Sequence, residues 1–200
     1  MKGPLFYSKI LLFGEYGIIK DSKGLSIPYN FYNGALKITD VNTPFAKDSN
    51  AKLFKFYDYL KNLNSSIVNF NLDKFHSDLK LGMYFDSSIP EGYGVGSSGA
   101  LVAAVYDYYA NNKITVLENL TREKLLKLKD IFSTMESFFH GKSSGLDPLN
   151  SYLSIPILIN SKKDIKVIGI PSQQRDGEGA VFLLDSGEVS TTAPMINIFM

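Results

Sequence analysis

The sequence predicts an α+β fold, with strands near both ends of the chain and helices between them. One observation is that residues 5–13 alternate and then become wholly apolar, as buried strands do, and short apolar segments return after residue 154. The other is that helical spacing of apolar residues runs through 121–139, while 98–110 is apolar on nearly every side. Most strands therefore lie towards the two ends of the chain and the helices lie in its middle, with one predicted strand, 79–85, between two of the helices.

Each element is predicted from these periodicities and from the residues that end it. The expected strands cover residues 5–13, 24–30, 35–39, 79–85, 155–159, 165–170 and 180–185, and the expected helices cover residues 50–63, 98–110 and 121–139. Asn33-Gly34 favours a hairpin turn between the second and third strands. Thr121 is the expected N-cap of the last helix.

The composition excludes several classes of function. The 200 residues, 44% of them hydrophobic, suit one large domain or one and a fraction. With 21 basic and 20 acidic residues, the charge pattern predicts no nucleic-acid partner and no membrane surface. The absence of cysteine excludes disulfides, thiolate metal sites and a cysteine nucleophile. The N-terminal apolar run is too short for a signal peptide or a membrane span, so we expect a soluble, cytoplasmic protein.

A glycine-rich segment, PEGYGVGSSGALVAAVYDYYA at 90–110, runs directly into a predicted buried helix. Glycines at a helix N-terminus let a polyanion approach unpaired N–H groups and the positive end of the helix dipole. A tight turn before a core helix would use the same residues. The segment alone leaves both interpretations open.

Two other glycine motifs compete with this interpretation. Residues 94–99 formally match the dinucleotide-binding pattern G-x-G-x-x-G. In that fold the first glycine follows the strand at once and the pattern usually opens its domain. Here residues 86–92 separate the glycines from the preceding strand, and about eighty residues precede the motif. A Walker A loop ending at Gly141-Lys142-Ser143 is excluded, because Glu136 stands where the first glycine is required.

Three side chains elsewhere are candidates for chemistry. Asp147 lies in an otherwise uncharged stretch and is either a cap or turn residue or a positioned base. His140 is not a convincing metal ligand, because the only other histidine is His76 and no carboxylate pair has ligand spacing. Lys9 interrupts an apolar strand, so it either reaches solvent at a sheet edge or points into a cleft and pairs with an acid.

The segments SKILLFGEYG, PEGYGVGSSGA and ESFFHGKSSGLD occur in the order and roughly at the spacing of the GHMP kinase superfamily. The middle segment resembles the family pattern P-x-x-x-G-x-G-S-S-A, with Gly99 in place of the alanine. The last segment resembles the mevalonate kinase pattern E-x-x-x-H-G-x-x-S-G-x-D at every fixed position from Glu136 to Asp147. The chain is thus most similar to the mevalonate kinase branch.

The resemblance implies a fold and an activity. Residues 1–175 would form a GHMP kinase N-terminal domain, similar to domain 2 of ribosomal protein S5, and residues 176–200 would begin a ferredoxin-like C-terminal domain. The implied reaction is ATP- and Mg²⁺-dependent phosphorylation of the hydroxyl of a small hydroxy acid, with mevalonate favoured, in isoprenoid precursor synthesis. Many family members are homodimers, so the resemblance also implies this state.

The resemblance also implies roles for particular residues. Asp147 would take the hydroxyl proton, and Lys9 beside it would keep Asp147 ionised and stabilise the developing alkoxide. Ser98 and Glu136 would hold Mg²⁺. The implied ATP-binding loop comprises Pro90, Gly92, Gly94, Val95, Gly96, Ser97, Ser98 and Gly99. The implied substrate residues are Glu15, Tyr16, His140 and Ser144.

The chain also departs from the family pattern. Tyr16 stands where mevalonate kinases usually have histidine, and Ser8 where the family has glycine. The third glycine-rich motif is absent, although Thr191 or Thr192 could stand near the base. We therefore expect a truncated chain or an unusually small relative. Another acceptor, phosphomevalonate or a sugar, and a non-catalytic ATP-binding module remain alternatives.

Overall fold

The computed structural model describes residues 4–15, 17–38, 43–63, 67–115, 120–169, 183–185 and 187. Within these ranges, one antiparallel sheet and a set of helices share a single hydrophobic core. The elements are β1 (Phe6–Phe13), β2 (Gly24–Ile38), α1 (Pro44–Lys61), α2 (Leu72–Lys80), β3 (Met83–Ser87), α3 (Ser97–Tyr109), α4 (Arg122–His140), α5 (Leu146–Leu153), β4 (Ile157–Ser161) and β5 (Asp164–Val167). This arrangement confirms the α+β prediction.

The long strand β2 organises the sheet. The strand order is β1-β2-β4-β5, and β3 also pairs with β2. The first residues of β2, 24–26, pair with β4, whereas its last residues, 34–38, pair with β3. Residues 25–29 and 33–34 of β2 pair with β1, which carries Lys9. One strand therefore fixes the positions of three others.

The predicted hairpin at Asn33-Gly34 is wrong, because residues 24–38 form one strand. The pairing with β1 jumps from Tyr7–Asn33 to Ser8–Tyr29, so residues 30–32 form a bulge and the strand continues in the same direction. A Cβ at Gly34 would lie 2.3 Å from Cζ of Phe85. Glycine is needed there so that the ring can pack on the strand, not for a turn.

Helix α3 lies at the centre of the core, as its apolar sequence predicts. Nine of its residues are buried, and it contacts α5, α4 and both β1 and β2. Helix α4 buries one face against it, and Thr121 caps α4 as predicted, with Oγ1 accepting from the N–H of Lys124 at 3.3 Å. Fully buried side chains such as Phe132 each contribute about 1.5–3 kcal/mol of burial free energy.

Other element boundaries differ from the predictions. Helix α1 begins at Pro44, behind a Thr43 cap, and not at residue 50. The strand predicted at 79–85 begins at Met83, because its first residues end α2, a helix that Asn71 caps. Helix α5 was not predicted, and β4 and β5 are offset from the predicted strands by one to three residues.

The remaining expectations fall largely outside the described residues. Residues 183–185 are not in a strand, whereas 180–182, Thr191 and Thr192 lie outside the described ranges, as does nearly all of 176–200. The domain boundary therefore stays a prediction. Across the part of the chain that the structure describes, no helix is both long enough and apolar enough to cross a lipid bilayer.

Candidate active site

Lys9 and Asp147, which are far apart in sequence, meet at the edge of the core. Lys9 is 7% exposed, and its Nζ lies 3.1 Å from Oδ1 of Asp147. The backbone N–H of Lys9 donates to the carbonyl oxygen of Val95 at 2.9 Å. Strand β1 is thus tied directly to the glycine-rich loop, and the lysine points away from the sheet edge into the site.

The surrounding carboxylates keep Lys9 charged. Burial by itself acts to lower the pKa of the Lys9 ammonium, but the charge of Asp147 and its hydrogen bond act to raise it. The charges of Glu15 and Glu136 act in the same direction, and the net result is a raised pKa. A permanent cation therefore lies beside the Asp147 carboxylate at neutral pH.

Asp147 is presented by the first turn of α5. The N-cap of that helix is Gly145, with φ of 74°, so the interpretation of Asp147 as the cap residue is wrong. A carboxylate in the first turn is stabilised by the helix dipole. Its side chain is 36% exposed, which leaves it open to a small molecule while Lys9 contacts it from the buried side.

The glycine-rich loop has the backbone conformation of an anion-binding turn. Gly92, Gly94 and Gly96 have φ values of 83°, 70° and 85°, which other residues rarely adopt. Gly96 is the N-cap of α3, and no side chain caps the helix, so its first N–H groups remain available. A Cβ at Gly94 would meet no atom within 4 Å, so there is open space beside the loop. These features fit a phosphate group.

Steric crowding explains why glycine stands at position 99, where the resembled pattern has alanine. A Cβ at this position would lie 2.8 Å from both the carbonyl carbon of Asp147 and the nitrogen of Pro148. The backbone of helix α3 at Gly99 therefore packs directly against the backbone at the start of α5, with no side chain between them. The missing methyl group allows Asp147 to lie directly against the glycine-rich turn.

A second cluster lies where α3 meets the end of α4. Oγ of Ser98 donates to Oε1 of Glu136 at 3.2 Å and lies 2.9 Å from Nε2 of His140. Oγ of Ser143 donates to Oε2 of the same carboxylate. Because a serine hydroxyl has one proton, the contact with His140 requires its Nε2–H to donate whenever Ser98 donates to Glu136. Glu136 is 3% exposed.

Burial disfavours the charged form of the Glu136 carboxyl group. Desolvation, followed by the nearby charge of Asp147, raises the pKa of Glu136 to about 7, although hydrogen bonds from Ser143 and Ser98 and the charge of Lys9 oppose the shift. Among the described residues, no three acidic, histidine or cysteine side chains gather into a metal site. A divalent ion here would therefore need further oxygen ligands, such as those of a phosphate.

The other predicted site residues that the structure describes lie at the margin of these two clusters. Glu15 is exposed in the turn after β1, and its charge reaches Lys9. Ser144 is exposed, and its Oγ accepts from the N–H of Leu146 at 3.3 Å in a local turn. His140 ends α4 and contacts Ser98, so it lies beside the candidate cation ligands. Tyr16 lies outside the described residues.

Sequence reasoning missed Ser143 and gave no reason for Ser8. Ser143 occupies a variable position of the resembled motif, and nothing in its neighbours signals a contact with Glu136. Ser8 is fully buried, and its Oγ donates to the carbonyl oxygen of Tyr29 at 2.7 Å. The serine that replaces the family's glycine is therefore hydrogen-bonded within the sheet.

Residues 57–154 match the family described as GHMP kinases N terminal domain. Among solved structures, the Methanococcus jannaschii mevalonate kinase is 16% identical over 82% of this chain and 55% of that chain, with a TM-score of 0.48. The L. major mevalonate kinase in complex with R-mevalonate is 19% identical over 84% and 52%, with a TM-score of 0.48. The mevalonate kinase from Staphylococcus aureus MRSA252 is 18% identical over 82% and 54%, with a TM-score of 0.43.

The chain spans about half the length of these structures. A comparison with curated protein sequences finds no significant match.

Proposed function

We propose that this chain, whose residues 57–154 belong to the GHMP kinase N-terminal domain family, takes part in ATP- and Mg²⁺-dependent phosphorylation of a small hydroxy acid, with mevalonate as the acceptor. The observation that carries the proposal is that Lys9, Asp147 and the uncapped start of α3 converge on one point. Phosphoryl transfer needs such a convergence of base, cation and phosphate-binding turn, whereas a structural turn does not.

Asp147 is the proposed base. Its partly exposed side chain can accept the proton of an acceptor hydroxyl that lies against the loop. The ammonium of Lys9, 3.1 Å away, stabilises the negative charge that develops on the hydroxyl oxygen. This effect is strong because Lys9 is almost completely withdrawn from water.

The proposed nucleotide site is the loop from Pro90 to Gly99. Its N–H groups and the dipole of α3 would hold the phosphates, while Ser98 and Glu136 would hold Mg²⁺ through their oxygens. When bound, the Mg²⁺–ATP complex supplies the phosphoryl group to be transferred. The open space at Gly94 and the buried Glu136 carboxylate support this assignment.

The choice of mevalonate rests on the motif from Glu136 to Asp147, which resembles the mevalonate kinase pattern at every fixed position. Glu15, Tyr16, His140 and Ser144 are the proposed acceptor-side residues. Tyr16 departs from the mevalonate kinase pattern, so the test includes phosphomevalonate and galactose as alternative acceptors.

Calorimetric titration with a non-hydrolysable ATP analogue tests nucleotide binding, and phosphorylation of each acceptor tests the reaction. We expect binding that strengthens with Mg²⁺, and phosphate transfer to mevalonate above the other acceptors. Asp147→Asn should lower kcat by roughly 10² or more while nucleotide binding persists. Mg²⁺-dependent binding without transfer to any acceptor would favour a non-catalytic ATP-binding module. Absence of nucleotide binding would contradict the proposal entirely.

A further inference from the structure

We propose that Ser143 is a positioning residue, which holds the Glu136 carboxylate in place for the divalent cation and links it to the turn that presents Asp147. The inference rests on the proposed function of the same site. It concerns a residue at a variable position of the resembled motif, so neither that pattern nor the family match assigns it a role.

The two oxygens of the Glu136 carboxylate have separate partners. Oε1 accepts from Ser98, the other proposed cation ligand, and Oε2 accepts from Ser143. Ser98 can change partner, because its hydroxyl also lies 2.9 Å from Nε2 of His140. Ser143 therefore supplies the hydrogen bond that fixes the rotation of the carboxylate and leaves Oε1 directed towards Ser98.

The same hydroxyl of Ser143 serves the base. It accepts from the backbone N–H of Gly145 at 3.0 Å while it donates to Glu136. Gly145 is the N-cap of α5, two residues before Asp147. One hydroxyl thus joins the proposed cation ligand to the start of the helix that carries the proposed base.

The backbone of this loop is anchored independently of the Ser143 side chain. Oγ of Ser133 donates to the carbonyl oxygen of Ser143 at 2.6 Å. Gly145 packs so closely on α4 that a Cβ would lie 2.1 Å from the carbonyl oxygen of Lys129. Removing the Ser143 hydroxyl should therefore leave the path of the loop intact and act through Glu136 and Gly145.

Loss of the hydroxyl would leave a buried carboxylate oxygen without its donor, since Glu136 is 3% exposed. Partners that orient a metal ligand typically contribute about 10- to 100-fold to metal affinity or activity. The phosphate-binding N–H groups lie on a different segment, at the start of α3. The predicted defect is therefore confined to the part of nucleotide binding that depends on the cation.

The experiment measures the affinity of a non-hydrolysable ATP analogue by calorimetry, with Mg²⁺ and with EDTA, for the wild-type chain and its variants. For Ser143→Ala we expect the strengthening by Mg²⁺ to fall by about tenfold or more, with the affinity in EDTA unchanged. Ser143→Thr retains the hydroxyl and should restore most of the Mg²⁺ effect.

Two matched controls separate positioning from loop stability. Ser133→Ala removes the hydroxyl that anchors the Ser143 carbonyl, and Ser137→Ala removes a hydroxyl that donates within α4, to the carbonyl of Ser133. Both should keep the Mg²⁺ effect of the wild-type chain.

Equal losses in Ser133→Ala and Ser143→Ala, or an unchanged Mg²⁺ effect in Ser143→Ala, would overturn the positioning role alone. If the wild-type chain shows nucleotide binding without any Mg²⁺ effect, the cation site fails and this inference fails with it. If it binds no nucleotide at all, the proposed function fails as well.

Discussion

Lys9 is the side chain on which the proposed chemistry depends most. It is buried, positively charged and in contact with Asp147. Lys9→Met keeps the length of the side chain but removes the charge that would stabilise a developing alkoxide. We expect kcat for phosphate transfer to fall by about 10² or more, with a much smaller change in nucleotide affinity, since the loop N–H groups remain.

Lys37→Met is the matched control for Lys9→Met, because Lys37 is an exposed lysine that pairs with Asp86 on the sheet. Its turnover should equal that of the wild-type protein. Equal turnover of the Lys9 and Lys37 variants would show that the buried ammonium takes no part in the reaction.

Glu136 should make stability depend on pH. Its folded-state pKa of about 7 lies above the ordinary value of 4.5, so ionisation costs folding free energy. The stabilisation is fully present below pH 4.5 and is lost as pH rises to about 7. Relative to Glu136→Gln, the wild-type chain should therefore lose up to about 3 kcal/mol of unfolding free energy between pH 4.5 and pH 8.

Urea unfolding of both proteins in EDTA at these two pH values measures this difference. Mg²⁺ with nucleotide should remove it, because the ion favours the charged carboxylate. A difference between the two proteins that is constant with pH would mean that Glu136 does not titrate in this range.

Contacts within the candidate site were predictable only where a motif carried the information. The contacts of Lys9 with Asp147 and of Ser98 with Glu136 could be expected because the spacing of three segments resembles one superfamily, and the chemical roles of these residues stay predictions. Ser143 could not be found in this way, since a serine hydroxyl can bond almost any polar neighbour and its partner depends on the folded loop.

The crossing of α3 and α5 is the contact between helices that forms the site. Gly99→Ala would improve the helix propensity of α3 but would press a methyl group on the backbone of Asp147 and Pro148. Because backbone atoms cannot move aside as a flexible side chain can, we expect a loss of about 1–3 kcal/mol in unfolding free energy. Turnover should fall as well, since Asp147 would shift.

Gly169→Ala is the control for the crossing, because a Cβ there would meet no atom within 4 Å and the glycine has no positive φ. Its unfolding free energy should match that of the wild-type chain. If Gly99→Ala is as stable and as active as Gly169→Ala, the close approach of the two helices is not a constraint on the site.

Long helices with a clear period were predictable, whereas the short helices α2 and α5 were not. Helix α4 has a Thr121 cap and a regular apolar face, and α3 is apolar throughout. Helix α5 has eight residues and includes Pro148, so its sequence looks like a loop. At Asn33-Gly34 the local turn preference is not realised, because Gly34 pairs with both β1 and β3 and the Phe85 ring packs against it.

For the whole molecule, the order of strands and helices along the sequence predicted the α+β fold class but not the order in which the strands pair in the sheet. The strand order β1-β2-β4-β5, with β3 also on β2, depends on one strand pairing with three partners. Such pairings are long-range and leave no local pattern in the sequence. They nevertheless decide the function proposed here, because they place Lys9 of β1 against the loop before α3.

The proposed function requires phosphate, cation, base and Lys9 to meet at one site. A crystal structure of the chain with Mg²⁺ and a non-hydrolysable ATP analogue would locate all four together. We expect phosphate oxygens at about 2.7–3.2 Å from N–H groups of residues 92–99, and Mg²⁺ near Ser98 and Glu136. The terminal phosphate should face Lys9 and Asp147. Phosphates bound elsewhere, or bound at the loop with Asp147 and Lys9 turned away from them, would contradict it.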